Sequence, residues 1–479
     1  MANNFRHYSW SIANKIGGQI IGFVGNIVIA RQLTPDDYGL IGMLAIFIAI
    51  SWSFTESGLA DYLLSNPNID SLDVSTVFIF NIIVGLILYF LLNLSAPLIA
   101  NFYERHELVN IIRVLGLSII LRAISFTPLI VLQKELRFKE LAMLNLSAST
   151  LSIIISYIMA LQGFGYWSLV FQNISIPLTI LFILLLFLKW RPKFRFNKER
   201  FRPMINFGTN LLVAFLINQV GKNMHATLIG KFQTPRTLGY YLQASKINET
   251  VFQGINSVVL GTSYSIIARE PDGLKRRDMY KDILNHFVFI HLFICFFIAG
   301  CAQQIMGLIF GSQWEPSAPY LRLLTISTFL LPFTTVNYNM IKIAGRVELY
   351  RNLTFLGVGF NLVALLFTYK YSIEVIILGQ IIARYLSSLF DIVFCGKHGL
   401  VYPLEQIKIF FVQGAVPLGA SLISYWLAST SMFNDEKIQF VVFTVLYILS
   451  FFIINIMVRN RVILFYLNWL RTSFYKSWR

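Results

Sequence analysis

Nine ionisable side chains, Glu56, Arg122, Lys222, His225, Lys246, Glu249, Arg322, Arg384 and Asp391, lie inside or at the edges of long apolar stretches, while most other charges fall in the short connections. A charge at bilayer depth costs at least ~2.5–3.5 kcal/mol on insertion scales, so such a residue faces a protein interior or a water-filled path rather than lipid. The chemistry open to these residues is non-covalent: cations hold anions, and carboxylates or an imidazole take up and release ions. Patterns for covalent work are missing. With no Gly-rich phosphate loop, Ser-His-Asp arrangement or metal-ligand spacing, neither ATP hydrolysis nor a cofactor is expected and the chain does not read as an enzyme. Cys295 and Cys301 share one expected helix and Cys395 lies near the end of another, which makes no disulfide framework.

The elements that position these residues follow from composition. With 56% hydrophobic and only 13% charged residues, the chain is a polytopic membrane protein, not a soluble globule. Apolar runs recur at about one bilayer crossing plus a short connection. They give about fourteen helices, near 10–30, 38–64, 74–98, 109–132, 142–162, 167–188, 205–229, 238–266, 284–306, 318–343, 349–370, 374–395, 409–429 and 438–458. Pro97, Pro128 and Pro332 fall in the third, fourth and tenth spans and are candidate kinks. The amino terminus, with Arg6 and His7 ahead of a span holding Asn14, Lys15, Gln19 and Asn26, reads as a retained helix and not a signal peptide.

Lysine and arginine set the expected orientation, because cytoplasmic short loops retain them. About 27 of the 39 lie in the even-numbered loops and the termini, which places both termini in the cytoplasm. The net charge of +16 is then mostly loop charge that the topology requires, and nucleic acid is not expected as a partner. The run 189–202 and the tail 459–479 are dense enough in basic residues to hold anionic lipid head groups.

The chain repeats itself. Ile29-Ala30-Arg31-Gln32-Leu33-Thr34-Pro35-Asp36-Asp37-Tyr38-Gly39, after the first span, matches Ile229-Gly230-Lys231-Phe232-Gln233-Thr234-Pro235-Arg236-Thr237-Leu238-Gly239, after the seventh. Ile112-Arg113-Val114-Leu115 with Ser118 matches Leu321-Arg322-Leu323-Leu324 with Ser327, and Leu169-Val170-Phe171-Gln172 echoes Ile377-Leu378-Gly379-Gln380. Six spans per repeat is an even number, so the halves keep one orientation and are related by an axis along the membrane normal. The expected organisation is all-α: a first six-helix lobe over 1–188, a basic cytoplasmic linker over 189–203, a second lobe over 204–395, two further spans within 396–458, and a basic cytoplasmic tail over 459–479.

The motif Ala30-Arg31-Gln32-Leu33-Thr34-Pro35-Asp36-Asp37-Tyr38-Gly39, with Asp73-Val74-Ser75-Thr76-Val77-Phe78 and Asn81, Leu98-Ile99-Ala100-Asn101-Phe102-Tyr103, Gln133-Lys134-Glu135-Leu136-Arg137-Phe138-Lys139, Gly163-Phe164-Gly165-Tyr166-Trp167-Ser168-Leu169 and Leu228-Ile229-Gly230-Lys231, resembles the Wzx and WzxC exporters of O-antigen, capsule or exopolysaccharide units. That family belongs to the multidrug/oligosaccharidyl-lipid/polysaccharide exporter superfamily. The resemblance implies a MATE-like pair of lobes and a flippase for undecaprenyl-pyrophosphate-linked oligosaccharide in a bacterial inner membrane, with polysaccharide polymerase and chain-length machinery as possible partners beside substrate and lipid. One departure stands out: relatives commonly carry an Asn-Ile-Asp type sequence where this chain has Asn223-Met224-His225.

A pyrophosphate bearing a glycan needs a wet, cationic lumen, and the polyprenyl tail can remain in lipid between lobes. Arg122, Lys222 and Arg384, deep in their spans, are the expected lumen cations, with Lys246, Arg322 and Arg113 as further candidates; Arg113 and Arg322 are also placed to snorkel to an interface. Lys246 and Glu249 are three apart and expected to pair, and Lys222 and His225 share that spacing. Glu56, His225, Glu249 and Asp391 are the ion-coupling candidates, Glu56 foremost. A drug exporter of the superfamily would be expected to carry an acid in the first span, which has none here, and a polymerase or glycosyltransferase would need a large loop.

Overall fold

A backbone in hydrocarbon finds no water for its N–H and C=O groups, so apolar runs of this length close their hydrogen bonds internally as helices. The computed structural model describes residues 2–56, 58–188, 194–397, 402–428 and 436–467, without the side chains of residues 2–8, Glu56, Asn210 and Ala214, and all regular structure in it is helical. Contacts divide the chain into Met1–Leu242 and Gln243–Arg479.

The first unit begins with α1 (Ala2–Ala30), α2 (Pro35–Met43), α3 (Ala45–Glu56), α4 (Leu59–Ser65) and α5 (Ser71–Tyr103). It continues with α6 (Leu108–Leu115), α7 (Leu117–Lys134), α8 (Phe138–Leu161), α9 (Trp167–Leu186) and α10 (Lys198–Phe232), and ends within α11 (Pro235–Ala268). Helix α1 packs on α8, which packs on α9, while α7 lies against α3, α5 and α9. Small residues bring α1 and α8 together: a Cβ on Gly25 would stand 2.3 Å from Ile153 Cδ1. Helix α10, which the repeat assigns to the second half, packs on α2, α3, α4 and α5 and so belongs by contact with the first unit. The stretch leading into it is tied to the start of α5. Arg195 and Asn197 donate backbone N–H groups to the Ser75 and Thr76 hydroxyls, and Arg200 reaches Asp70 at 2.7 Å and Asp73 at 3.1 Å. Asp70 is also the N-cap of α5, and hydrogen bonds from the Asp73 and Leu72 amides, with Arg200, hold its carboxyl below the usual range.

The second unit takes the rest of α11, then α12 (Gly273–Gly300), the single turn α13 (Ala302–Gln304), α14 (Ala318–Ile326), α15 (Leu331–Ile343), α16 (Val347–Thr368), α17 (Ile373–Lys397), α18 (Pro403–Ala428) and α19 (Glu436–Met457). Helix α17 packs on α14, α15, α16 and α18, and α12 packs on α14, α15 and α18. The last helix docks by aromatic rings: Phe443, Tyr447 and Phe451 meet Phe289, Phe293 and Phe297 of α12, and the Tyr447 hydroxyl donates to the Phe293 carbonyl at 2.7 Å.

Among the described residues, twelve helices are long and apolar enough to cross a membrane, and the pair Pro35–Met43 and Ala45–Ser65, bent by 47°, makes a thirteenth. The tenth expected span, 318–343, is not among them: it is two helices, α14 and α15, separated by residues 327–330. Pro332 falls in the first turn of α15, where its missing N–H breaks no helical bond, so the chain breaks ahead of it. Pro97 and Pro128 sit inside uninterrupted α5 and α7. The equivalent span of the first repeat is interrupted at one residue, Gly116, between α6 and α7.

Candidate functional site

In the first unit the mid-span cation is Arg122, on α7. Its guanidinium lies 4.4 Å from the centroid of the Trp52 ring, offered by the neighbouring α3. A cation–π contact of this kind contributes ~0.5–2 kcal/mol, more as the site loses water. Polar side chains line the helices beside it: Ser51, Ser53 and Thr55 on α3 are buried, and Asn81 of α5 donates to Thr127 of α7 at 3.2 Å. Lys222 is exposed on α10, which also packs on α3. His225, one turn on, is buried, so these two residues do not share one environment as their spacing suggested. Arg113 is exposed on α6. The Glu56 side chain lies outside the described residues.

The second unit builds its polar centre on the break at 327–330. Arg384 of α17, half-buried, donates from Nη1 to the Ser327 hydroxyl at 2.8 Å, and the adjacent Tyr385 hydroxyl donates to the Ile326 carbonyl at 2.7 Å. From α12, the buried His291 meets the Thr328 carbonyl through Nε2 at 2.8 Å. The bonds that helix α14 gives up at its end are thus taken by side chains of two neighbours, which is the condition for a broken span at membrane depth. One turn into α15, Thr334 donates to Asp391 Oδ2 at 2.9 Å and lies 3.0 Å from the Ser388 hydroxyl. Asp391 is fully buried, and its other oxygen, Oδ1, has no hydrogen-bond partner.

The expected pair Lys246 and Glu249 is not made. Glu249 instead accepts from the Ser245 hydroxyl at 3.4 Å, a residue one turn earlier on the same face, and both charged side chains are exposed. Arg322 is exposed and donates from Nε to the Ala299 carbonyl at 3.1 Å, a helix-terminal contact. The Lys231 of the Leu-Ile-Gly-Lys motif pairs with Glu104 at 2.8 Å, and its hydrogen bond keeps the Glu104 carboxyl below the usual range. Trp52, Ser327, His291, Thr334 and Ser388 did not emerge from the sequence as site residues. Trp52 in mid-span and Pro332 after a polar Ser327-Thr328 pair are the only signals that pointed to them.

Such a bundle, with its broken span and its ionisable side chains inside the apolar segments, is that of a polytopic helical membrane protein. The family model described as polysaccharide biosynthesis protein matches residues 28–319, more than half of the chain, and the chain belongs to that family. Among curated proteins it is similar to the teichuronic acid biosynthesis protein TuaB of Bacillus subtilis, at 24% identity over 71% of each chain. It is similar to the succinoglycan biosynthesis transport protein ExoT of Rhizobium meliloti, at 23% over 68% of this chain and 66% of that protein. With the lipopolysaccharide biosynthesis protein WzxC of Escherichia coli it shares 21% over 64% of this chain and 63% of that one. The fold is that of the lipid II flippase MurJ in an inward closed conformation (TM-score 0.72, 15% identity, covering 95% of this chain and 100% of that one). It also resembles an inward-facing multidrug resistance MATE family transporter of the MOP superfamily (TM-score 0.58, 17% identity, 79% and 95% covered).

Proposed function

We propose that this protein is a flippase that carries an undecaprenyl-pyrophosphate-linked oligosaccharide from the cytoplasmic to the periplasmic leaflet by alternating access, driven by an ion gradient. The observation that carries the reading is membership of the polysaccharide biosynthesis family, together with similarity to the succinoglycan biosynthesis transport protein ExoT. The guanidiniums of Arg122 and Arg384 support it, one backed by a tryptophan face and one by a hydroxyl, in the manner of sites that receive phosphate oxygens. Asp391, with Glu56, His225 and Glu249, supplies the coupling candidates. Deletion followed by analysis of lipid-linked oligosaccharide on each leaflet tests the reading. The intermediate should accumulate on the cytoplasmic side and surface polysaccharide should disappear; an unchanged distribution would refute it.

The cycle requires a defined orientation, with both termini and 189–203 cytoplasmic and 31–37 periplasmic, as the charge bias indicates. Single cysteines placed in these two segments should label oppositely in intact cells with an impermeant thiol reagent. The natural Cys295, Cys301 and Cys395 are all buried and give little background. Labelling of both segments from outside would overturn the orientation.

A further inference from the structure

The repeated Thr-Pro-x-x-x-Gly motif packs against its own copy. A Cβ on Gly39 would stand 1.8 Å from the Pro235 carbonyl oxygen, and a Cβ on Gly239 would stand 1.9 Å from the Pro35 carbonyl oxygen. Both distances are far below any real contact, and the obstructing atom is backbone on each side, so no rotamer change relieves the clash. In place of each side chain a Cα–H points at the opposite carbonyl. The contact is reciprocal residue for residue: glycine of one copy on proline of the other, twice.

Each turn is made rigid before it meets the other. Thr34 caps α2 with a capping box to Asp37, worth ~1 kcal/mol, and Pro35 starts the helix. In the second copy the Thr237 amide donates to the Thr234 hydroxyl at 3.2 Å and Pro235 starts α11. The surroundings are dry. Pro35, Gly39, Pro235, Leu238 and Gly239 are buried, and Leu242 lies against Gly42. At the rim, Asp36 and Arg236, themselves equivalent in the repeat, are exposed and attract each other. At its centre the contact is glycine against carbonyl, with Leu238 and Leu242 packed beside it on Gly42.

We propose that these two turns form a latch that shuts one face of the transporter, the face opposite the basic loops, and that Gly39 and Gly239 are the positioning residues that let it close. The inference rests on the transport reading for its role in export but not for the closure itself. Any side chain at either glycine holds the latch ajar, and the two glycines act equally because the contact is reciprocal.

A cysteine placed at the buried Leu238 reports closure through its labelling rate in purified protein, with no cargo present. Gly39→Ala and Gly239→Ala should each raise that rate by about tenfold, and Gly254→Ala, where no atom lies within 4 Å of the added Cβ, should leave it unchanged. Unchanged labelling in both of the first two variants would overturn the proposal. Should the glycine variants fail to accumulate, a tether decides. Oxidation of an Asp36→Cys/Arg236→Cys pair should stop export and reduction should restore it, whereas export that continues through the formed disulfide overturns the latch. Because the labelling needs no glycan, a latch that closes in a protein that moves no lipid-linked saccharide is told apart from failure of the latch.

Discussion

Alanine at Arg122 or Arg384 is expected to cut export by about 10–100-fold while leaving the protein in the membrane at normal levels, since a charge-assisted hydrogen bond is worth ~1.5–3 kcal/mol and ~1.4 kcal/mol is a factor of ten in rate. Arg122 stands on a tryptophan face, and Arg384 is fixed to Ser327 at the end of a broken helix. The Trp52 face and the Ser327 hydroxyl each help to fix one of these guanidiniums, a preorganisation that a doubly charged pyrophosphate rewards. Lysine at either site keeps the charge but loses the planar fork and, at Arg122, much of the stacking, so it should restore export only in part. Lys222→Ala should have a smaller effect, because that side chain is exposed. The measurement is surface polysaccharide in complemented deletion cells with membrane abundance checked by immunoblot. Wild-type polysaccharide in both alanine variants would remove these arginines from the cargo path.

The second large effect is expected at Asp391. Asparagine there keeps the shape and the hydrogen bond from Thr334, so the fold should stand, but it cannot exchange a proton or hold a cation through a negative charge. A buried carboxylate with one unpartnered oxygen is expensive to leave charged, and a proton or small cation arriving at Oδ1 relieves that expense at a place wedged between α15 and α17. In a reconstituted flipping assay the wild-type rate should respond to an imposed ion gradient and the Asp391→Asn rate should be low and gradient-insensitive. Glu56→Gln is the companion variant, since Glu56 was the strongest coupling candidate on sequence grounds. A normal gradient response in Asp391→Asn would leave that residue as a packing contact.

Much of this architecture was legible in the residues because hydropathy is a local property. Each span announces itself by its own composition, whereas the helix starts fixed by the Thr34 and Asp70 caps lie three residues ahead of where composition put them. The internal repeat was legible for the same reason, as a comparison of strings. Two readings failed where the answer lay in neighbours. Lys246 and Glu249 have the spacing of a pair, yet Ser245 takes the carboxylate, and His225 turns inward where Lys222 turns out.

The amino-acid sequence by itself determined that this is an all-α membrane protein of many apolar segments, with most of its charges kept to the connections, because lipid imposes those conditions on every segment separately. Only the tertiary structure decided that the tenth segment breaks at 327–330, since the break survives only where Arg384, Tyr385 and His291 take up the freed backbone and hydroxyl groups. It also decided why the two Thr-Pro-x-x-x-Gly copies both keep glycine. That requirement comes from a carbonyl two hundred residues away in the chain, and no local pattern carries it.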